Sequence, residues 1–350
     1  MITLKDIAKL TGVSVNTACR ALKDMPDIGA DTTRRVKQAA ETLGYTPNVM
    51  ARGLVLKRSF TIGAVVTELS NPSRSMLIQK LRLLALNKGF HLLVSSYDSD
   101  DEVGDRIREM TSRAVDGLIL GNIDGILAEK PYWPVLEMAT KSGVPVVLFF
   151  NALTTKVDNV SVDYSMFTEQ LTRHLIEAHR LKDILFVGES LDCPRGMGYS
   201  RAMNASGLER NIRAAPFGYW SVAETRKGII EFVKTQRPPK GIVCHNDLAA
   251  IGVIAGLREA GWRVPEDVAV VGIDNIELAD YLNPRLTTIG VDPIKVAEAL
   301  FGLLESRIAG TYSGARRQVK LTHDVFLRES CGCRQGRASS AKRQVRGRTR

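Results

Sequence analysis

At 350 residues, 44 % of them hydrophobic, the chain is too long for one ordinary domain and apolar enough to build two or three cores. No run approaches the roughly 18 apolar residues of a membrane span, and residues 1–20 lack the apolar core and cleavage site of a signal peptide, so a cytoplasmic protein is expected. Five scattered cysteines (Cys19, Cys193, Cys244, Cys331, Cys333) speak against a disulfide framework, and the formal charge of +10 calls for an acidic partner.

The first stretch, TLKDIAKLTGVSVNTACRAL (residues 3–22), reads as two helices around a tight turn. Thr3 and Asp6 have capping-box spacing, Leu4, Ile7 and Ala8 share one face, and Gly12 breaks the helix. Ser14 caps a second helix with Val13, Ala18, Ala21 and Leu22 inward and Val15, Asn16, Cys19, Arg20 and Lys23 outward. Any small helical hairpin shows such a pattern, but in a helix-turn-helix the outward face of the second helix enters the major groove. Asp31 or Thr32 is expected to cap a third helix that ends at Gly44.

Charge placement favours the DNA reading. Residues 1–60 carry ten Lys and Arg against five acids, residues 331–350 carry seven and no acid, and residues 61–330 are left at −2. A near-neutral body with basic ends suits a sensor joined to a polyanion binder, because phosphate contacts supply sequence-independent affinity. The short segment Asn48–Lys57 contains Met50, Leu54 and Val55 but also Gly53, which makes an isolated helix there marginal.

From Phe60 onward β-rich runs alternate with helical stretches: FTIGAVV, FHLLVSS, DGLILG, VPVVLFF, DILFVG, GIVCH, VAVVGI and LTTIGV. This is repeated βαβ, which predicts an α/β body of two doubly wound parallel sheets with a division near Val160–Tyr164. Ligands of such sheets bind beyond the C-terminal ends of strands. The positions that follow the runs are Ser70-Asn71, Asp98, Asn122, Phe150-Asn151, Glu189 to Arg195, Asn246-Asp247 and Asp274-Asn275. Cys331-Gly-Cys333 has no second CxxC or histidine cluster nearby in sequence, so no metal is assigned to it. The stretch RQGRASSAKRQVRGRTR has no apolar periodicity and is expected to be disordered.

Residues 3 to about 332 resemble the lactose-repressor (LacI/GalR) family of bacterial transcription regulators. The resemblance is carried by TLKDIAKLTGVSVNTACRAL, LGYTPNVMARGL, NDLAAIGVIAGLREAGWRVPEDVAVVGIDN, PRLTTI and RESCG. It implies a DNA-binding head (1–47), a hinge (48–58) that becomes helical on operator DNA, and a periplasmic-binding-protein-like core. The core's N-subdomain would be 59–161 with 292–318, and its C-subdomain 162–291 with 319–331, ahead of a basic tail (332–350). In the head it implies base contacts from Val15, Asn16 and Arg20 and assigns Thr17 and Asn48 to the DNA face. Leu54 matches the hinge leucine that wedges into the minor groove.

In the core, Arg195 of an R-x-x-G-Y stretch, Asn246, Asp274 and Trp220 match ligand-contacting positions, with Asn71 and Phe150 at strand ends beside them. A guanidinium, an amide and a carboxylate can hold adjacent hydroxyls while an indole covers an apolar ring face, which suits a sugar or sugar derivative. Each assignment has a plainer counterpart. Asn246, Asp247 or Asp274 could cap a helix, with capping preferred for Asp247; Trp220 could be a core aromatic; Arg195 could pair with Asp192. His245 beside Asn246 could line the cleft, but it is taken as a satisfied structural histidine.

The chain also departs from the family. Phe150-Asn151 stands where many members end a strand with Asp, Ala114 replaces an arginine, SNPSRSML lacks the usual aromatics, and Cys19 replaces a common serine. An enzyme finds no support, since no GxGxxG, GxxxxGK[ST] or GxSxG motif occurs. A secreted solute-binding protein shares the core fold, but the basic head argues against it. The expectation is therefore a homodimeric operator-binding regulator on the nucleoid that responds to a carbohydrate and needs no cofactor.

Overall fold

The computed structural model describes residues 2–46, 58–67, 69–97, 99–121, 133–141, 143–149 and 157–333. They fall into two units, a head up to Ser59 and a body from Phe60.

The described part of the head holds three helices: α1 (Leu4–Thr11), α2 (Val15–Ala21) and α3 (Ala30–Thr42). The Asp6 carboxylate accepts from both the backbone N–H and the hydroxyl of Thr3, at 2.8 and 2.7 Å. Gly12 at φ 69° ends α1, and Ser14 Oγ accepts the Thr17 N–H at 3.0 Å to open α2. The third helix starts earlier than expected. Its N-cap is Gly29, so Asp31 and Thr32 already lie within the first turn, where Asp31 pairs with Arg34 instead of capping. Ile7, Ala18, Ala21 and Val36 are fully buried where the three helices meet, and Arg35 Nη2 donates to the Thr11 carbonyl at 2.6 Å.

The body holds two six-stranded sheets. The first contains β1 (Thr61–Val66), β2 (His91–Ser96), β3 (Gly117–Leu120), β4 (Val146–Phe149), β5 (Asp158–Ser161) and β11 (Gln318–Lys320), in the order β11-β5-β4-β3-β1-β2 and entirely parallel. The second contains β6 (Ile184–Val187), β7 (Ala214–Ala215), β8 (Gly241–Cys244), β9 (Ala269–Ile273), β10 (Thr287–Gly290) and β12 (Asp324–Phe326), in the order β12-β10-β9-β8-β6-β7, with only the β10–β12 pair antiparallel. Between strands lie α4 (Pro72–Asn87), α5 (Asp100–Ser112), α6 (Trp133–Lys141), α7 (Tyr164–His179), α8 (Pro194–Ala205), α9 (Val222–Thr235), α10 (Asp247–Glu259) and α11 (Pro293–Ile308). Both sheets are therefore of the expected α/β, doubly wound kind. No described helix is long and apolar enough to cross a membrane.

The chain passes between the sheets three times: from β5 to α7, from β10 to α11, and from β11 to β12. The third passage follows Lys320, slightly beyond the expected boundary at 318. Four strands, β5, β7, β11 and β12, join the eight apolar runs seen in the sequence. The first of these opens on a fully buried Asp158, whose carboxylate takes a two-pronged contact from Arg307 (Nε 2.8 Å, Nη2 2.9 Å) and the Arg317 N–H at 2.8 Å. Burial alone would raise this carboxyl, but the Arg307 and Arg317 contacts outweigh it, and Asp158 ends below its usual value of 3.8. A depressed carboxylate stabilises the fold above its unfolded pKa and loses that contribution as pH falls through the folded value. Asp158→Ala strands Arg307 and should cost about 3–5 kcal/mol in urea unfolding at neutral pH. A loss under about 1 kcal/mol, the range of an exposed pair, would refute this role.

Candidate functional site

On α2, Val15 and Asn16 are exposed, Thr17 is half-buried and Arg20 is partly exposed. Thr17 is occupied locally, its hydroxyl 2.8 Å from that of Ser14. Arg20 Nη2 sits 2.5 Å from Asp27 Oδ1, and this hydrogen bond raises the guanidinium pKa. An exposed pair of this kind is weak and can be exchanged for a phosphate or base edge. Asn48, Leu54 and the rest of segment 48–57 lie outside the described residues, as do Phe150, Asn151, Asp98, Asn122 and the tail from 334.

In the body, the strand-end positions converge between the two sheets. Asn71 is the N-cap of α4: its Oδ1 accepts the Ser73 N–H at 3.0 Å, while Nδ2 donates to Asp274 Oδ2 at 2.9 Å from the other sheet. Asp274 is 7 % exposed and adopts φ 112°, a backbone conformation L-residues rarely take. Such strain costs on the order of 1–3 kcal/mol and concentrates where a side chain must be aimed. Arg195, in the first turn of α8, is buried with its guanidinium 4.0 Å from the centroid of the Tyr164 ring. Trp220 is 43 % exposed and stands edge-on to His245 at 5.0 Å, so it is not a core aromatic.

The cap preferred from sequence, Asp247, is not the cap; Asn246 is. Asn246 is the N-cap of α10, its Oδ1 accepting the Ala249 N–H at 2.8 Å, and its Nδ2 has no hydrogen-bond partner among the described residues. Asp247 is no cap. Its carboxylate accepts from the Thr288 hydroxyl at 2.6 Å and the Ile276 N–H at 2.9 Å, and so ties α10 to β10 and to the turn after β9. Burial, then the nearby Asp274, pushes Asp247 well above the ordinary carboxylate range.

His245, read from sequence as a satisfied structural histidine, is 2 % exposed with both ring nitrogens unbonded among the described residues. It lies between Tyr219 (4.3 Å) and Trp220. Burial, reinforced by Arg195 and Arg74, pushes it well below the usual histidine value, so the ring is neutral and offers one donor and one acceptor.

Sequence reasoning missed Arg74 and Tyr164. Arg74 is 6 % exposed in the first turn of α4, with Nη1 3.4 Å from the Tyr164 hydroxyl and its guanidinium 5.9 Å from the Phe149 ring centroid. Arg74, Phe149, Tyr164 and Asp274 line a small cavity that is partly open to solvent. The R-x-x-G-Y stretch divides by role. A Cβ on Gly198 would fall 1.9 Å from the Ser165 carbonyl oxygen, so glycine lets α8 lie against α7, and Tyr199 is fully buried with its hydroxyl donating to the Ile184 carbonyl at 2.8 Å. Of its three named residues only Arg195 faces the cleft. At the far end of α7 from Tyr164, His174 and His179 meet Cys331 and Cys333, so the CxC that stands alone in sequence has two histidine neighbours in the fold.

Comparison with known proteins agrees with this architecture. Residues 3–48 match the family described as bacterial regulatory proteins, lacI family, and residues 172–331 match a periplasmic binding protein-like domain. Catabolite control protein A of Priestia megaterium is 28 % identical over 336 residues, covering 94 % of this chain and 99 % of the relative. The HTH-type transcriptional repressor PurR of Aliivibrio salmonicida (strain LFI1238) is 28 % identical over 335 residues, with 94 % and 99 % covered. Among solved structures, the Lac repressor dimer bound to operator and the anti-inducer ONPF superposes with a TM-score of 0.79 at 22 % identity, over 94 % of this chain and 99 % of that one. A complex of the transcriptional regulator CelR with cellobiose superposes at 0.65 and 25 % identity, over 94 % and 100 %. Head and core are matched in one chain and in the same order, and the protein belongs to the LacI family of DNA-binding transcription regulators.

Proposed function

We propose that the protein is a repressor that binds operator DNA as a homodimer and is controlled by a sugar or sugar derivative held between the two sheets of its core. The observation that carries the ligand site is a set of buried polar atoms without a hydrogen-bond partner among the described residues: both ring nitrogens of His245 and Nδ2 of Asn246. A buried polar group without a partner costs about 1–3 kcal/mol, which a ligand hydroxyl relieves. Arg195 and Asp274 supply a charged donor and acceptor beside them, and the exposed indole of Trp220 supplies an apolar face. The relative found with cellobiose, a disaccharide, supports the carbohydrate class. The dimer reading is supported by the Lac repressor, a dimer in its operator complex, and by exposed apolar residues on the body, among them Leu278 at 52 % and Tyr281 at 76 % exposure. On this reading Val15, Asn16 and Arg20 read bases and Leu54 wedges the minor groove.

Two measurements test the proposal together. A thermal-shift screen of sugars and phosphorylated sugars should find one that adds about 2.7 kcal/mol at 100 times its Kd. That sugar should change the retardation of operator DNA by the full chain, while a chain lacking residues 1–59 keeps the shift and loses DNA. If the shortened chain still binds DNA specifically, or no sugar stabilises the body, the proposal fails in the corresponding half.

A further inference from the structure

The helix α7 ends at His179, where Arg180 turns into the left-handed region at φ 58°. This end of the helix meets the last described turn of the chain, Glu329–Cys331 followed by Gly332 and Cys333. Gly332 takes φ 94°, a conformation that glycine adopts without strain, and this turns both flanking thiols to the same side. The ligand atoms of His174, His179, Cys331 and Cys333 all lie within 4.8 Å of one another. The two Nε2 atoms are 3.3 Å apart, Cys331 Sγ is 3.5 Å from His174 Nε2, and Cys333 Sγ is 3.6 Å from His174 Nε2 and 3.5 Å from His179 Nε2.

These spacings are those of the edges of a tetrahedron around zinc. With Zn–N near 2.05 Å and Zn–S near 2.3 Å, tetrahedral angles put two nitrogens about 3.3 Å apart and a nitrogen and a sulfur about 3.6 Å apart. We infer that His174, His179, Cys331 and Cys333 form a binding site for one divalent zinc ion. An S₂N₂ donor set selects zinc over the oxygen-loving magnesium and calcium. Four protein donors complete the coordination and leave no position for a reacting water, so the site is structural.

The ion's place in the fold gives it a task. Ser330 and Cys331 are already bound into the second sheet: Ser330 Oγ donates to the Val270 carbonyl at 2.6 Å and accepts the Thr287 N–H at 2.9 Å, and the Thr287 hydroxyl donates to Cys331 Sγ at 3.1 Å. Zinc would clamp this turn to α7, the helix whose other end carries Tyr164 beneath Arg195. The alternative is a metal-free knot in which two thiols and two imidazoles hydrogen-bond to one another.

The test uses the untagged full-length chain purified under reducing conditions. Elemental analysis should find one equivalent of zinc per chain, and cobalt substitution should give thiolate-to-metal charge transfer with the intense visible bands of a tetrahedral ion. Cys333→Ser and His179→Gln, the two ligands nearer the surface, should each drop zinc to background, while Cys19→Ser and Cys193→Ser keep it. A strong chelator should lower the melting temperature of wild type and leave that of Cys333→Ser unchanged. Background zinc in wild type with an octahedral cobalt spectrum would establish the hydrogen-bonded knot and overturn the inference. Full zinc in a Cys333→Ser, His179→Gln double variant would overturn it as well.

Discussion

Arg195→Ala is expected to weaken effector binding by roughly 100-fold and to leave ligand-free operator affinity unchanged to within about twofold. The size follows from geometry. A guanidinium can hold two adjacent hydroxyls, each charge-assisted bond contributes about 1.5–3 kcal/mol, and tenfold in affinity is about 1.4 kcal/mol. Arg195 lies buried in the body against the Tyr164 ring, whereas the residues proposed to meet DNA are in the head, a separate unit. Arg195→Lys keeps the charge but not the planar fork, and should recover only part of the affinity. The experiment is a calorimetric titration of the stabilising sugar, paired with operator retardation. A variant that responds at wild-type concentrations would remove Arg195 from the site. A melting curve without ligand guards against simple misfolding.

How much of this was legible in the sequence depended on whether the cause was local. The eight apolar runs of the two sheets announce themselves because a strand buried on both faces is continuously hydrophobic. Strand β5 does not, because it opens on Asp158, whose burial makes sense only with Arg307, an arginine 149 residues away in sequence. Missing that strand concealed the position after it, and so Tyr164 at the start of α7 went unflagged. Edge strands β11 and β12 are three residues each and partly exposed, which leaves no apolar signature. The misplaced cap, Asn246 in place of Asp247, has a similar origin. Both are good caps, and only the position of Thr288 on a later strand decides that Asp247 is spent on a cross-link. The cluster of His174, His179, Cys331 and Cys333 is a further case, since Cys333 Sγ and His179 Nε2 meet across 154 residues.

Helix α2, by contrast, was readable to the residue, since Ser14, the buried alanines and the outward Asn16 are fixed by neighbours within one turn. The start of α3 was not, and the reason is equally local. Gly29 serves as the N-cap without any side-chain bond, and nothing in Gly-Ala-Asp-Thr-Thr distinguishes it from the better-capping residues that follow.

Asn71 should behave as a latch between the two halves of the core, and three substitutions separate that role from its capping role. Its side chain works at both ends, with Oδ1 on the Ser73 N–H and Nδ2 on the Asp274 carboxylate of the opposite sheet. Asn71→Ala removes both contacts and costs about 1 kcal/mol of helix stability in addition to the bridge. Asn71→Ser still caps α4 but is too short to reach Asp274. Asn71→Asp caps equally well and sets one carboxylate against another. If capping were the whole function, the Ser and Asp forms would bind effector like wild type. A latch predicts otherwise. A hydrogen bond to a charged group is worth about 1.5–3 kcal/mol, so Asn71→Ser should shift the closed-to-open ratio, and with it effector affinity, by roughly 10- to 100-fold. Asn71→Asp should be worse, because it sets a second carboxylate against that of Asp274. Solution scattering of the three variants should show a body more extended than wild type, in the order Asp, then Ser and Ala. If the two halves of the core close on the effector, as the family resemblance implies, mass action links the latch to regulation: an effector shifts such a core only by its differential affinity for the closed and open forms. Weakening the latch lowers the resting population of the closed form and also releases Asp274, one of the proposed effector contacts. The dose for half-maximal response should then rise while the fully liganded DNA affinity stays at its wild-type value.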